Sequence, residues 1–79
     1  MIGVTILGAT GSIGASTLDV LARRPDRYRV VALTANTEVE RLFEQCLRFR
    51  PGLAVMADAA AAERLQRKLV EAGSATEVA

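Results

Sequence analysis

The chain of 79 residues contains no histidine and no tryptophan, one cysteine and two prolines. Without histidine, the commonest general base and a frequent metal ligand are missing, so the chemistry these residues can perform alone is narrow. The single Cys46 rules out an internal disulfide and any cysteine-rich metal centre, and it suits a reducing compartment. Aromatic residues are reduced to Tyr28, Phe43 and Phe49, so a core must be built from aliphatic side chains. No apolar run approaches the ~20 residues that span a bilayer, and no basic segment followed by a long apolar core marks a secretory signal. Charge of one sign is also lacking. Ten basic residues, nine of them arginine, are interspersed with nine acids for a net charge of +1. That balance points to neither a nucleic-acid nor a membrane-surface binder. Half of the residues are hydrophobic and a quarter charged, an ordinary globular composition.

What is present is strongly ordered along the chain. Met1–Leu7 is an apolar run rich in strand formers, and its lack of alternation predicts a strand buried on both faces of a parallel sheet. A glycine-rich turn follows, Gly8-Ala9-Thr10-Gly11-Ser12-Ile13-Gly14, and then a helix from about Ser12 or Ile13 to Arg23 or Arg24, with Gly14, Thr17, Leu18 and Leu21 on one stripe. Pro25-Asp26 breaks it. Arg29–Thr34 reads as a second strand. Thr37 with Glu40 has the spacing of a capping box, and Val39, Leu42, Phe43, Cys46 and Leu47 recur at helical spacing until Pro51-Gly52. Leu53–Met56 makes a short third strand. Asp58 caps an alanine-rich helix from about Ala59 to Ala72, Gly73 closes it, and Thr76–Ala79 begins a further strand.

Strands alternating with helices of this length predict a Rossmann-like α/β fold: a parallel sheet with flanking helices, the β-α-β-α-β-α portion of a doubly wound architecture. Right-handed crossovers stack its strands in the order 3-2-1. In a complete fold a fourth strand pairs with the free edge of the first. These residues are therefore expected to be the N-terminal part of a longer protein, with 1–79 as one portion of a dinucleotide-binding domain. Left alone, the open strand edge is an aggregation hazard.

The turn at Gly8–Gly14 carries the chemistry. A strand-to-helix turn of this kind leaves backbone N–H groups pointing into one space, and the helix N-terminus adds about half a positive charge, which suits a phosphate. Gly8 permits the tight turn, Gly11 lets a ligand approach the backbone, and Gly14 lets the helix pack closely. The spacing G-x-x-G-x-x-G is a variant of the usual dinucleotide pattern, and its placement between strand and helix is what gives it weight. Thr10 and Ser12 add hydroxyls, and Ile13 would pack under the ligand. At the tip of the second strand an acid would bond the ribose hydroxyls of NAD, whereas its absence beside a basic residue admits NADP. The tip reads Thr34-Ala35-Asn36-Thr37-Glu38. No acid stands at the tip itself, which favours NADP, yet no Lys or Arg stands there and Glu38 lies close behind. Asn36 and Thr37 suit either phosphate donors or turn and cap residues. Cys46, on an apolar stripe, reads as a buried core thiol. Tyr28 has no lysine at short helical spacing, Lys68 reads as part of a solvated helix face, and no acid–base pair, activated nucleophile or metal cluster emerges.

Gly8-Ala9-Thr10-Gly11-Ser12-Ile13-Gly14 running into Ser16-Thr17-Leu18-Asp19-Val20 resembles the N-terminus of the 1-deoxy-D-xylulose 5-phosphate reductoisomerase family. The likeness continues through Pro25-Asp26-Arg27-Tyr28, Val30-Val31-Ala32-Leu33, Glu44-Gln45-Cys46-Leu47 and Ala54-Val55-Met56. The resemblance implies an oxidoreductase of the non-mevalonate isoprenoid pathway. The family rearranges 1-deoxy-D-xylulose 5-phosphate with a divalent metal (Mg, Mn or Co) and reduces the resulting aldehyde with NADPH, giving 2-C-methyl-D-erythritol 4-phosphate. It implies a cytoplasmic homodimer inhibited by fosmidomycin-type phosphonates, with no nucleic-acid or membrane partner. Thr10, Gly11, Ser12 and Ile13 match the family's phosphate loop, and Asn36, Thr37 and Glu38 match the segment that meets the adenosine ribose and its 2′-phosphate. Many members carry Gly-Lys-Asn at those three positions; backbone contacts can survive the change, but a charge contact from Thr37 cannot. The resemblance places metal ligands and substrate-binding residues in later domains, so that residues 1–79 supply cofactor binding and none of the catalytic groups. Two other readings remain open on the residues: an NADP-dependent oxidoreductase of the semialdehyde-dehydrogenase type, which also opens with Gly-Ala-Thr-Gly, and a non-enzymatic nucleotide sensor.

Overall fold

The computed structural model describes residues 1–79. Four strands and three helices alternate: β1 (Ile2–Ile6), α1 (Ser12–Ala22), β2 (Tyr28–Ala35), α2 (Val39–Phe49), β3 (Leu53–Met56), α3 (Ala59–Glu71) and β4 (Glu77–Val78). All strand pairs are parallel, in the order β1-β2-β3-β4. The predicted 3-2-1 stacking is present. The further strand joins the β3 edge, and the outer edge of β1 carries no partner.

The helices form one layer. α2 packs between its neighbours, with Lys68 of α3 reaching Glu40 of α2 at 3.2 Å and Arg48 of α2 reaching Asp19 of α1 at 3.3 Å. The shortest principal extent is 16 Å, enough for one sheet and one helix layer. The core lies between them. Ile6, Leu33 and Ala54 stand in register across three strands, with Ala35 and Met56 as the next row. Leu18, Leu42, Cys46, Leu65 and Leu69 cover them from the helices.

The expectation that β1 is buried on both faces does not hold in these residues. Only the helix-facing side is covered: Ile6 is buried and Val4 half-buried, while Gly3 and Thr5 are exposed. The unbroken apolar run of β2 has a second cause besides two-sided burial. Val4 pairs with Val30 but Thr5 pairs with Ala32, so Val31 is an extra residue in the ladder. That bulge lets Val30 and Leu33 both face the helices although they are three apart, and leaves Val31 38% exposed on the open face.

Helix ends follow local chemistry with two departures. The Asp58 carboxylate accepts from the Ala61 N–H at 2.8 Å, the N-cap expected of it. α3 closes at Gly73, whose φ is +74°, with the Ser74 N–H returning to the Leu69 carbonyl. The capping box at Thr37 does not form. The N-cap of α2 is Glu38 without a side-chain cap, and its carboxylate turns back to accept from the Thr37 N–H at 3.1 Å. Between them, the expected capping hydroxyl is one residue too early. α1 ends at Ala22, one residue before the shortest expected limit, and Thr17 lies exposed, its hydroxyl bonded to the Ile13 carbonyl. No helix is long and apolar enough to cross a membrane.

Candidate functional site

Parallel strands place all their C-terminal ends on one edge of the sheet, and the segments leaving β1, β2 and β3 meet there. β2 organises them. Its Thr34 hydroxyl accepts from the Gly8 N–H at 3.0 Å and its carbonyl from the Ala9 N–H at 2.8 Å, which fixes the start of the loop after β1. The Ala57 and Asp58 N–H groups donate to the Ala35 and Asn36 carbonyls at 2.9 and 3.3 Å, which ties the β3 exit to the β2 tip.

The glycine loop is tightened by its own geometry. Gly8 sits at φ +64°, the left-handed region that a side chain penalises, and its carbonyl accepts from the Gly11 N–H at 3.0 Å. Gly14 is required by close approach, since a Cβ there would lie 2.3 Å from the Gly8 oxygen and 2.8 Å from the Ala9 Cα. Gly11 has an ordinary extended backbone, φ −73° and ψ 168°, and a Cβ there would meet only the Gly8 oxygen, at 3.4 Å. The space above it is otherwise open.

A second stripe of α2 holds the loop from behind. The Gln45 Nε2 donates to the buried Ala9 carbonyl at 2.8 Å, and the Arg41 guanidinium reaches the Thr10 carbonyl at 3.5 Å. With these carbonyls drawn toward α2, the N–H groups of Ser12, Ile13 and Gly14, at the start of α1, remain without an acceptor. No acid lies in the first turn of α1 to neutralise its positive end.

The cleft at the strand ends has a volume of 310 Å³ and is lined by Gly8, Thr10 and Gly11 from the loop, Thr34–Asn36 and Glu38 from β2 and its exit, and Val55 and Ala57 from β3. It brings together Thr10, Gly11, Asn36 and Glu38 of the seven candidate residues. Ser12 and Ile13 line an adjoining cleft on the other side of the loop, where Ile13 and Leu7 are 83% and 77% exposed and nothing from these residues covers them. Thr37 faces a third cleft, between the start of α2 and α3, which it shares with Glu38. That third cleft is larger, at 660 Å³, but its walls are charged side chains of two helices, and Glu40 and Lys68 already pair across it. The unpaired N–H groups of Ser12, Ile13 and Gly14 belong to the adjoining cleft, and Gly8 and Gly11 border both, so the strand-end cleft and the donor-bearing cleft meet across the loop.

The one carboxylate in that cleft is well supported. The backbone N–H groups of Glu38 itself and of Thr37, then the Thr10 hydroxyl and the Asn36 N–H, hold the Glu38 carboxyl below the usual carboxylate range. Thr10 itself is buried. Burial alone pushes the Cys46 thiol up to about 11 and keeps it protonated, in the core between α2 and the sheet. Tyr28 opens β2 at the opposite end of the sheet from the cleft. Lys68 is more engaged than a solvated face: besides Glu40, its ammonium lies 4.7 Å from the centre of the Phe43 ring.

Three supporting residues escaped the sequence reading. Arg41 and Gln45 were hidden because the apolar stripe of α2 draws attention away from the polar stripe one position along, although 41, 45 and 48 are at helical spacing. The role of the Thr34 hydroxyl depends on a residue 26 positions away. The signal for it was a lone hydroxyl at the end of an apolar strand.

The cradle fits a dinucleotide pyrophosphate: free N–H groups at a helix start, a glycine with open space above it, and a firmly held loop. The same residues do not fit a divalent cation, because no group of three or more His, Cys, Asp or Glu side chains comes together.

Comparison with known proteins agrees with that geometry. The family model of 1-deoxy-D-xylulose 5-phosphate reductoisomerase matches residues 4–79. The reductoisomerase of Aromatoleum aromaticum is 68% identical over 75 residues, covering 95% of this chain and 19% of that protein. That of Nitrosospira multiformis is 64% identical over 75 residues, with the same coverage of 95% and 19%. Among solved structures, a DOX-P reductoisomerase in complex with NADPH, fosmidomycin and magnesium superposes with a TM-score of 0.93 at 36% identity, covering 99% of this chain and 19% of that one. The reductoisomerase from Zymomonas mobilis in complex with NADPH gives 0.90 at 48% identity, covering 98% and 20%. The chain thus spans 19% of the length of the curated relatives named here.

Proposed function

Because the chain belongs to the 1-deoxy-D-xylulose 5-phosphate reductoisomerase family, we propose that residues 1–79 are the N-terminal part of an NADPH-binding domain in an enzyme that rearranges and reduces 1-deoxy-D-xylulose 5-phosphate to 2-C-methyl-D-erythritol 4-phosphate. The observation that carries the proposal is the set of unpaired N–H groups of Ser12, Ile13 and Gly14 beside the open face of Gly11, at the C-terminal end of the sheet. NADPH bound there would supply the hydride for the reductive half of the reaction. The residues of this chain bind and orient. Ser12, Ile13 and Gly14 donate backbone N–H groups to the pyrophosphate, with the Thr10 and Ser12 hydroxyls beside them. Asn36, Thr37 and Glu38 meet the adenosine ribose. Thr34, Arg41 and Gln45 hold the loop in the shape that aims those donors.

The rest of the reading rests on the family. The divalent cation (Mg, Mn or Co) and the sugar phosphate would be held by residues outside these 79, in a cytoplasmic homodimer with no nucleic-acid or membrane partner. The open edge of β1 and the uncovered sheet face are where further parts of such an enzyme could pack. Two alternatives left open by the residues alone, a semialdehyde dehydrogenase and a nucleotide sensor, have no observation in their favour.

The test is a calorimetric titration of the full-length protein with NADPH. The native protein binds, and Gly11→Val, whose backbone tolerates a side chain but whose new methyls enter the space above the loop, loses binding by at least about a hundredfold while keeping its fold. Unchanged affinity in Gly11→Val would overturn the placement of the pyrophosphate.

A further inference from the structure

The tip of β2 holds an anion site that the chain fills with its own side chain. The Glu38 carboxylate accepts from the Thr37 N–H at 3.1 Å, and the N–H groups of Glu38 and Asn36 and the Thr10 hydroxyl also favour its charged form. Glu38 lines the same cleft as Gly8, Thr10 and Gly11 of the loop after β1, one strand over. No lysine or arginine occupies positions 36–38. Glu38 also borders the cleft between α2 and α3, but three of the four basic side chains there are engaged elsewhere: Arg41 on the Thr10 carbonyl, Arg67 on Glu63 and Lys68 on Glu40.

The two nicotinamide dinucleotides present opposite chemistry to such a site. The adenosine ribose of NADH offers hydroxyl donors, which need an acceptor, and a supported carboxylate is one. NADPH offers a phosphate carrying about −1.5 to −2 charges. It is an acceptor that needs N–H donors, of which the Thr37 N–H is already taken by Glu38, and it would meet a negative charge that no lysine or arginine at positions 36–38 offsets. The exposed Glu38 side chain can swing aside, but its backbone is fixed at the rim of the cleft, so its charge stays at the rim.

We infer that Glu38 is the specificity-determining residue of this cleft, and that its carboxylate weakens the hold on NADPH and supports NADH. The inference rests on the proposal that the strand-end cleft binds a nicotinamide dinucleotide, and it deepens that proposal by assigning the choice between the two cofactors to one side chain.

The test titrates NADPH and NADH separately into the full-length protein and into Glu38→Gln and Glu63→Gln, following nicotinamide fluorescence. Glu63 carries the same charge on the exposed side of α3, paired with Arg67, and lines none of the clefts at the strand ends. Glu38→Gln is expected to tighten NADPH by about tenfold and to leave NADH unchanged or weaker, so the ratio of the two dissociation constants shifts toward NADPH. Glu63→Gln leaves the ratio where it was. An unmoved ratio in Glu38→Gln, or an equal shift in Glu63→Gln, would overturn the assignment to Glu38 while leaving the dinucleotide site intact. Failure of the native protein to bind either cofactor would overturn the dinucleotide site and this inference together.

Discussion

Replacing Gly14 by alanine separates two effects of opposite sign. Gly14 is the third residue of α1, and on helix propensity alone alanine is the better residue by about 1 kcal/mol. Tertiary packing argues the other way. The new Cβ would sit 2.3 Å from the Gly8 carbonyl oxygen, 2.8 Å from the Ala9 Cα and 3.0 Å from the Ala9 carbonyl carbon. All three are backbone atoms, and none can step aside as a side chain can. The oxygen must retreat by about 1 Å to reach ordinary contact, and it is held by the Gly11 N–H at 3.0 Å while the Ala9 N–H is held by Thr34 at 2.8 Å. Overpacking of this kind costs about 1–3 kcal/mol, and the strained turn bond adds about 1 kcal/mol. After the propensity gain, the net expectation is a loss of about 1–3 kcal/mol. Urea unfolding of the full-length protein reads it as a lower midpoint, and an NADPH titration reads the displaced N–H groups as weaker binding. Gly11→Ala is the companion, because its backbone tolerates any residue and its Cβ meets one atom at 3.4 Å; it should change stability by no more than about 0.5 kcal/mol. If Gly14→Ala melts at or above the native midpoint, or no lower than Gly11→Ala, propensity outweighs packing and the account of the loop is wrong.

Two further outcomes are expected. Gln45→Met keeps the bulk of the side chain but leaves the Ala9 carbonyl without its 2.8 Å donor; it should cost about 1 kcal/mol and weaken NADPH binding several-fold, and equal affinity for the two proteins would show that the tether does not shape the loop. The Cys46 thiol, raised from its ordinary 9.0 to about 11 by burial, gives the fold an alkaline limit. The folded value lies above the unfolded one, so the stabilisation is complete below about pH 9 and is lost as the pH climbs toward 11, by about 3 kcal/mol in all. Cys46→Ser or Cys46→Ala should remove that part of the pH dependence in urea titrations at pH 8 and 10; an unchanged slope would count against the buried thiol as its source.

What the residues alone determined was local. Glycine at position 8, the aspartate at 58 and the glycine at 73 act on neighbours within a few positions, and each does in the fold what its chemistry dictates. The apolar runs placed three strands and three helices within a residue or two, because a run that cannot meet water must lie inside. The loop proposed to hold the pyrophosphate was legible for the same reason: its donors and its glycines are consecutive.

What tertiary structure decided involves residues far apart in the chain. The bulge at Val31 is a mismatch between two strands and is invisible in either one; it is why β2 reads as an unbroken apolar run although only one face of the sheet is covered. The support of the loop by Thr34 and Gln45 spans 26 and 36 positions. The side chain of Glu38 was the hardest to place. Sequence put it just behind the β2 tip as a helix-flanking acid, and only the backbone turn at Thr37 folds its carboxylate back into the cleft. A side chain's direction is set by the backbone that carries it, and the cleft that Glu38 lines is walled by two separate loops, after β1 and after β2, that meet only when the parallel sheet has formed.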